Sequence, residues 1–416
     1  MSKLSEVLRE RGYVHQFSSQ KLEEITDGKK RTVYLGIDPS ADSLHVGNLV
    51  GLLVLRRFLE DGHTIIIVTG GGTGMIGDPG GKSEERNLLD EETIAHNSQA
   101  VAAQIRKVFG STDFIEENNA KWLNSLNLID FLREVGKHFT VNNMIKKDIV
   151  RDRLEKESPI SFTEFSYSLL QGYDYLHLYE EYDCDVQVGG SDQWSNILAG
   201  VEFIRRKKEQ TVYAFTWPLV MNKASGKKFG KSEQGAVWLD PEKTSAFQFY
   251  QFWLNTEDEN LEEYMLKMTL LPKVDIAAAL EMHTRNPHHR HGQRLIAREV
   301  TTLVHGSDVA NRTEKISDIL FGDAGLDTMS GDELRELLAA APSCAIQPGT
   351  SILDALVQTK LASSKREARQ FIGDGAVTLN GQAITSESET IAGEHFKSGL
   401  AILKRGKRNV SVLTIV

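Results

Sequence analysis

The stretch TVYLGIDPSADSLHVGN, residues 32–48, decides the fold. TVYLGI is a β-branched run of strand length, and the Asp38-Pro39-Ser40 segment is a turn signal. His45-Val46-Gly47-Asn48 then leads into a long apolar segment, 48–59, which reads as a helix. Residues 45–48 therefore stand at a helix N-terminus beyond the carboxyl end of a strand. Open α/β sheets bind ligands there. Free N–H groups and the helix dipole favour a phosphate. Gly47 allows close approach of a nucleotide, and His45 can donate to a phosphate. Taken alone, the pair better suits a solvated histidine beside a turn glycine.

Outward from this junction the alternation continues. HTIIIVT (63–69) is a near-continuous apolar run, as in a strand buried on both faces. Residues 91–109 read as a helix with Ile94, Val101, Ile105 and Val108 on one stripe. DFIEE (113–117), DVQVGG (185–190) and TVYAFTW (211–217) are further strand candidates. Strands alternating with helices predict an α/β domain with a parallel, doubly wound sheet of Rossmann-like type over 1–238. Within it, about 119–160 reads as a helical insertion, where Trp122, Leu126, Ile129, Leu132 and Val135 recur at helical spacing.

Beyond Leu239 the strand signals fade, and 239–341 read as an α-helical domain including helices at 292–304 and 332–341. APSCAIQPGT (341–350) reads as a linker, about 342–350. The remainder, 351–416, is a small α+β domain. It has a short helix at 351–360, a Ser364-Lys365-Arg366-Glu367 capping box ended by Gly373 or Gly375, and an Asn-Gly hairpin in VTLNGQAI (377–384).

Composition narrows the class. Hydrophobic residues are 40% and charged residues 25% of 416, ordinary for a soluble chain of two or three domains. The net charge of −10 excludes a generic nucleic-acid binder. Residues 350–416, however, carry nine Lys and Arg against six Asp and Glu, a mildly basic tail on an acidic body. Cys184 and Cys344 are far apart and lack metal-site spacing, which suits a reducing compartment. No apolar run nears the roughly 18 residues of a membrane span, and the N-terminus lacks signal-peptide character. A cytoplasmic protein with no membrane partner is expected.

Two glycine-rich matches mislead. Gly72-Thr73-Gly74-Met75-Ile76-Gly77 fits a dinucleotide fingerprint, but Asp78-Pro79-Gly80-Gly81 follows where a helix is required. Gly81-Lys82-Ser83 resembles the end of a P-loop, but position 76 is Ile where that motif needs glycine. A later segment weighs more: Lys228-Phe229-Gly230-Lys231-Ser232 lies in a polar, glycine-containing loop, 222–236.

Together, the early His45-Val46-Gly47-Asn48 and the late Lys228–Ser232 segment resemble the paired signatures of class I aminoacyl-tRNA synthetases. Within that class the chain is similar to the tyrosyl enzymes along essentially its whole length. Tyr167, Gln171 and Asp174, spaced i, i+4 and i+7, share one helix face, a polar stripe suited to a closed pocket. The resemblance implies that Asp174 and Tyr34 bind the phenolic hydroxyl of tyrosine. Asp78, Tyr167 and Gln171 would hold its ammonium group, and Gln187 and Gln193 would line the same pocket. Gly36, Asp38, Gly47, Asn48, Gly189, Asp192 and Lys231 would bind ATP. Ser40, His45, Lys82, Arg86, Lys228, Lys231 and Ser232 would meet the departing phosphates. Mg²⁺ would arrive with ATP, and neither a tightly bound cofactor nor a protein metal site is expected.

The tail resembles the small S4-like RNA-binding fold. Lys365, Arg366, Arg369, Lys404, Arg405, Lys407 and Arg408 would contact tRNA(Tyr). In this family the insertion is where two copies form a homodimer. The sequence departs from the family pattern at Asn48, where a second histidine is usual, and at Phe229, Gly230 and Leu35, so altered ATP affinity is expected. His283, His288, His289 and His291 look like a metal cluster, but neighbouring Pro287 and arginines favour an exposed loop. The rival readings are the tryptophanyl enzyme, a non-catalytic RNA-binding protein of the same shape, and the discounted dehydrogenase.

Overall fold

The computed structural model describes residues 3–416 apart from 79–88, 111–112, 224–225, 227–228, 233–234, 323–324 and 327–328. The chain divides into two compact units, 1–243 with 256–296 and 244–255 with 297–416. The helical stretch after residue 239 is thus shared between the units.

The first unit is built on six strands: β1 (Gln16–Phe17), β2 (Thr32–Ile37), β3 (Thr64–Thr69), β4 (Ile115–Asn118), β5 (Cys184–Gly190) and β6 (Tyr213–Trp217). Their order is β1-β6-β5-β2-β3-β4. From β2 to β6 every pairing is parallel, and only β1 runs antiparallel, at the edge against β6. The chain moves outward from β2 through β3 to β4, then returns to the other side of β2 with β5. The order reverses between β2 and β5, whose pairing stops at Tyr34 and Gln187, short of both carboxyl ends, the position at which open α/β sheets bind ligands. All seven residues of β5 are buried, as a central parallel strand requires.

The helix starts follow from local chemistry. The Glu91–Phe109 helix is capped by Asp90, whose side chain accepts from the Thr93 N–H, and ends at Gly110 with φ +63°. The Phe162–Tyr182 helix is capped by Ser161. The Leu49–Glu60 helix buries Leu49, Leu52, Leu53, Val54 and Phe58.

The expected insertion is helical but broken. Short helices Ala120–Leu123, Leu128–Glu134 and Val141–Met144 replace a continuous stripe. Asn127 starts a new helix by capping Ile129, and Gly136 and Thr140 interrupt the next turns. Trp122 and Val135 are buried, whereas Ile129 and Leu132 are exposed.

In the second unit, one sheet has the order β12-β11-β14-β15-β9, from β9 (Ser343–Ile346), β11 (Val377–Leu379), β12 (Gln382–Ala383), β14 (Leu400–Arg405) and β15 (Asn409–Ile415). A separate pair joins β10 (Thr350–Ser351) to β13 (Thr390–Ile391). The stretch 341–350, expected as a linker, instead supplies β9, which pairs in parallel with β15. Asn380 and Gly381 have φ +47° and +81°, the left-handed pair that a two-residue hairpin requires. Ser364 caps the Lys365–Gly373 helix, but Glu367 returns its carboxylate to the Ser363 N–H at 2.5 Å, one residue earlier than the expected box. Among the described residues, no helix is long and apolar enough to cross a membrane.

Candidate functional site

A cavity of about 440 Å³ opens at the carboxyl ends of β2 and β5. Tyr34, Asp78, Tyr167, Gln171, Asp174, Gln187 and Gln193 all line it. So do Gly36, Asp38, Ser40, His45, Gly47 and Asn48 from the first strand–helix junction, and Gly189 and Asp192 after β5.

Its deep end is polar and buried. Asp174 is 5% exposed and accepts from the Trp122 indole N–H at 2.7 Å and the Asn119 amide at 2.9 Å. Burial pushes its carboxyl up to about 7, against these two donors, which favour the anion. Tyr34 packs its ring 5.3 Å from that of Tyr175, and among the described residues its hydroxyl has no hydrogen-bond partner. Gln187 Oε1 is similarly orphaned. Buried polar atoms without partners cost stability, which makes these two candidates to meet a ligand's polar group.

Asp174 is linked to the turn that follows β2. Asn119 also donates to Thr73 Oγ1 at 2.9 Å, and Thr73 donates to Asp38 Oδ1 at 2.8 Å. The other Asp38 oxygen accepts from the Tyr167 hydroxyl at 2.8 Å. Asp78 accepts from Gln193 Nε2 at 2.6 Å. Sequence reasoning missed Thr73, Asn119 and Trp122. Thr73 lay within the discounted glycine-rich match, and Asn119 follows β4 directly, at a strand carboxyl end where ligand-binding residues gather.

At the other end of the cavity the early signature caps its own helix. The Gly47 N–H donates to His45 Nδ1 at 3.0 Å, and the His45 N–H donates to Asn48 Oδ1 at 3.0 Å. With Nδ1 accepting, the neutral ring carries its proton on Nε2, the form that can donate to a phosphate. A Cβ on Gly47 would lie 2.8 Å from His45 Cε1, so a side chain there would push the His45 ring out of this turn.

The later signature is stitched to the earlier one by backbone bonds. The Val46 N–H donates to the Val237 carbonyl, the Val237 N–H to the Gly230 carbonyl, and the Leu239 N–H to the Leu44 carbonyl. Gly230 has φ +98°, and a Cβ there would sit 3.2 Å from the Gly47 nitrogen. The Phe229 ring packs 4.6 Å from the Tyr264 ring. Lys231 and Ser232 form β7, paired with β8 (Gly235–Ala236). The Lys231 and Ser232 side chains, and Lys82, Arg86 and Lys228 altogether, lie outside the described residues.

The seven basic candidates of the tail differ in their surroundings. Lys365 pairs with Asp354 at 2.6 Å and Arg369 with Glu387 at 3.0 Å. Lys404 donates to the Gly322 carbonyl, and the Arg405 guanidinium lies 4.7 Å from the Phe371 ring centre. Arg366, Lys407 and Arg408 are exposed and hold no ion pair among the described residues. Of the histidine group, His283 is buried against Asp258 at 3.1 Å, and among the described residues no three metal-ligating side chains gather.

Comparison with known proteins agrees with this geometry. Residues 26–322 match the family of class I tRNA synthetases for tryptophan and tyrosine, and residues 333–413 match a tyrosine--tRNA ligase C-terminal domain. The tyrosine--tRNA ligase of Roseiflexus castenholzii is 43% identical over 427 aligned positions covering all of both chains. That of Anaeromyxobacter dehalogenans is 44% identical, again over all of both chains. A C-terminally truncated mitochondrial tyrosyl-tRNA synthetase of Aspergillus nidulans superposes with a TM-score of 0.69 at 29% identity, covering 76% of this chain and 93% of its own. The parallel sheet, the paired signatures brought together at its switch point and relatives matched end to end make this chain a member of the class I tRNA synthetases, among the tyrosine--tRNA ligases.

Proposed function

We propose that the protein activates L-tyrosine with ATP, releasing pyrophosphate, and transfers the tyrosyl group to the 3′ end of tRNA(Tyr). One observation carries this reading. A single cavity has a buried carboxylate and an orphaned phenol hydroxyl at one end, and a glycine-lined helix start with a donor histidine at the other. The first end suits a ligand phenol, and the second suits a phosphate.

Catalysis then needs little covalent help from the protein. The tyrosine carboxylate is already a nucleophile and attacks the α-phosphorus in line. Positioning and stabilisation of the departing charge supply the rate. Asp174 and Tyr34 take the phenol, while Asp78, Tyr167 and Gln171 take the ammonium group. Gly36, Asp38, Gly189 and Asp192 hold the nucleoside. His45 and Ser40 meet the phosphates, with Lys82, Arg86, Lys228, Lys231 and Ser232 completing the charge around them. Mg²⁺ enters as part of the ATP substrate.

The same reading includes a catalytic domain, a helical tRNA-binding domain and an S4-like tail, working in the cytoplasm as a homodimer. Leu128, Ile129 and Val141, 61% to 67% exposed, give the insertion exposed apolar side chains suited to a second copy. Sedimentation that returned only monomer would remove the dimer. The activity itself is tested by ATP–pyrophosphate exchange with each of the twenty amino acids, without tRNA. Exchange with tyrosine alone is expected. Exchange with tryptophan would reassign the pocket, and none with any amino acid would overturn the reading.

A further inference from the structure

Lys147 lies in the insertion, as the N-cap residue of the Asp148–Glu155 helix. Its ammonium is largely buried, and burial pushes it down to about 8 while Asp78 draws it up. Among the described residues it has no carboxylate partner. It donates instead to Asn196 Oδ1 at 3.5 Å. Asn196 Nδ2 donates to Gln193 Oε1 at 3.4 Å, and Gln193 Nε2 donates to Asp78 Oδ2 at 2.6 Å. Two amides thus bridge a cation to a carboxylate, and Asn196 and Asp78 are each 8% exposed.

The two ends dictate the direction of this chain. An ammonium offers only donors, and an ionised carboxylate only acceptors. Asn196 must therefore turn its oxygen to Lys147 and its NH₂ to Gln193. Gln193 must in turn offer its oxygen to Asn196 and its NH₂ to Asp78. Without the cation, no other donor among the described residues holds the Asn196 oxygen outward. Either amide can then rotate, and a rotated Gln193 sets an oxygen against the Asp78 carboxylate, two acceptors facing each other. Such a contact repels, and Asp78 would move away from it.

We propose that Lys147 is a positioning residue for the ammonium subsite: through Asn196 it fixes which atom of Gln193 meets Asp78, and so holds the Asp78 carboxylate in place for the amino group of tyrosine. This rests on the assignment of Asp78 and Gln193 to that subsite. Lys147 itself touches no substrate. Two of the three links are long, at 3.4 and 3.5 Å, so a modest effect is expected.

The test compares two competitive inhibitors of exchange in the full-length protein. Tyrosinol keeps the ammonium group and lacks the carboxylate; 3-(4-hydroxyphenyl)propionate has the reverse. Lys147→Met is expected to raise the Ki of tyrosinol about fivefold, as expected for one indirect hydrogen bond, and to leave that of the propionate within about twofold. The KM for tyrosine should rise with kcat nearly unchanged. Lys147→Arg keeps a donor-only cation and should restore most of the affinity, which a merely structural lysine would not predict. Unchanged tyrosinol binding overturns the proposal. Weaker binding of the propionate alone also overturns it, because Lys147 would then meet the ligand's carboxylate directly. Equal weakening of both points to general damage to the pocket and overturns it too. Asp78→Asn separates the two levels: if it leaves tyrosinol binding intact, the subsite assignment itself fails.

Discussion

The deep end of the pocket keeps two buried polar groups at a cost in stability. Asp174 is buried with two donors, and its carboxyl sits near 7 because burial disfavours the anion more than Asn119 and Trp122 favour it. A ligand phenol donates best to the ionised form. The KM for tyrosine should therefore rise as pH falls from 8 to 6, approaching about tenfold per unit once Asp174 is mostly protonated. The opposite sign would arise only if the phenol accepted from a protonated Asp174. A flat KM over this range would disconnect Asp174 from the phenol, and Asp174→Asn should flatten the profile. Tyr34 supplies the second case. Its orphaned hydroxyl costs the free protein roughly 1 kcal/mol, because a buried donor goes unmade. Tyr34→Phe should thus raise the stability of the ligand-free protein by about that amount in urea unfolding. It should also reduce discrimination against phenylalanine in exchange by roughly five- to tenfold. A destabilised variant with unchanged discrimination would show that the hydroxyl faces a packing partner, not a ligand.

At the scale of elements, Gly230 couples the two signatures. Its φ of +98° suits glycine alone, and its backbone lies against Gly47 at the start of the Leu49–Glu60 helix. Gly230→Ala strains the loop and pushes it off that helix start. The kcat for exchange should fall about tenfold, the scale of 1–2 kcal/mol of backbone strain, with little change in tyrosine affinity. A matching loss of tyrosine affinity would place the loop in substrate binding. How much of this was legible beforehand depended on how local the cause was. Strand β3, the 91–109 helix and the Asn380-Gly381 hairpin are written in short-range pattern and were readable to within a residue. Tyr167, Gln171 and Asp174 were readable as one face because helical spacing is local too. Asn119 and Trp122 were not, because only the pairing of β4 with β3 carries them to Asp174. The same is true of β9. Its Pro- and Gly-flanked sequence reads as a linker, and a parallel partner about seventy residues away makes it a strand.

For the whole molecule, this non-local pairing changes how the tail must be tested. Leu400, Ile402, Val410 and Val412 face a core with Ile316, Ile319, Leu320 and Leu337 from the helices before the tail. The other face of the same sheet packs Leu403 and Leu413 on Ile352, Leu356 and Ile372. The tail is therefore continuous with the preceding helices, and a cut at residue 350 would uncover apolar surface and strip β9 of its partner. Lost charging after that cut would report unfolding as readily as lost tRNA contact. Charge substitution avoids the problem. Arg366, Lys407 and Arg408 are exposed, so replacing them with Gln should change stability by less than about 0.5 kcal/mol each. If they meet phosphates on an otherwise acidic protein, their loss should weaken tRNA binding most at low salt. The slope of log affinity against log salt should fall by about 2 to 3, one released counterion for each contact. Exchange, which needs no tRNA, monitors the folded site. An unchanged slope would assign tRNA contact to other residues, with Lys365 and Arg369, which would first have to leave Asp354 and Glu387, next in line.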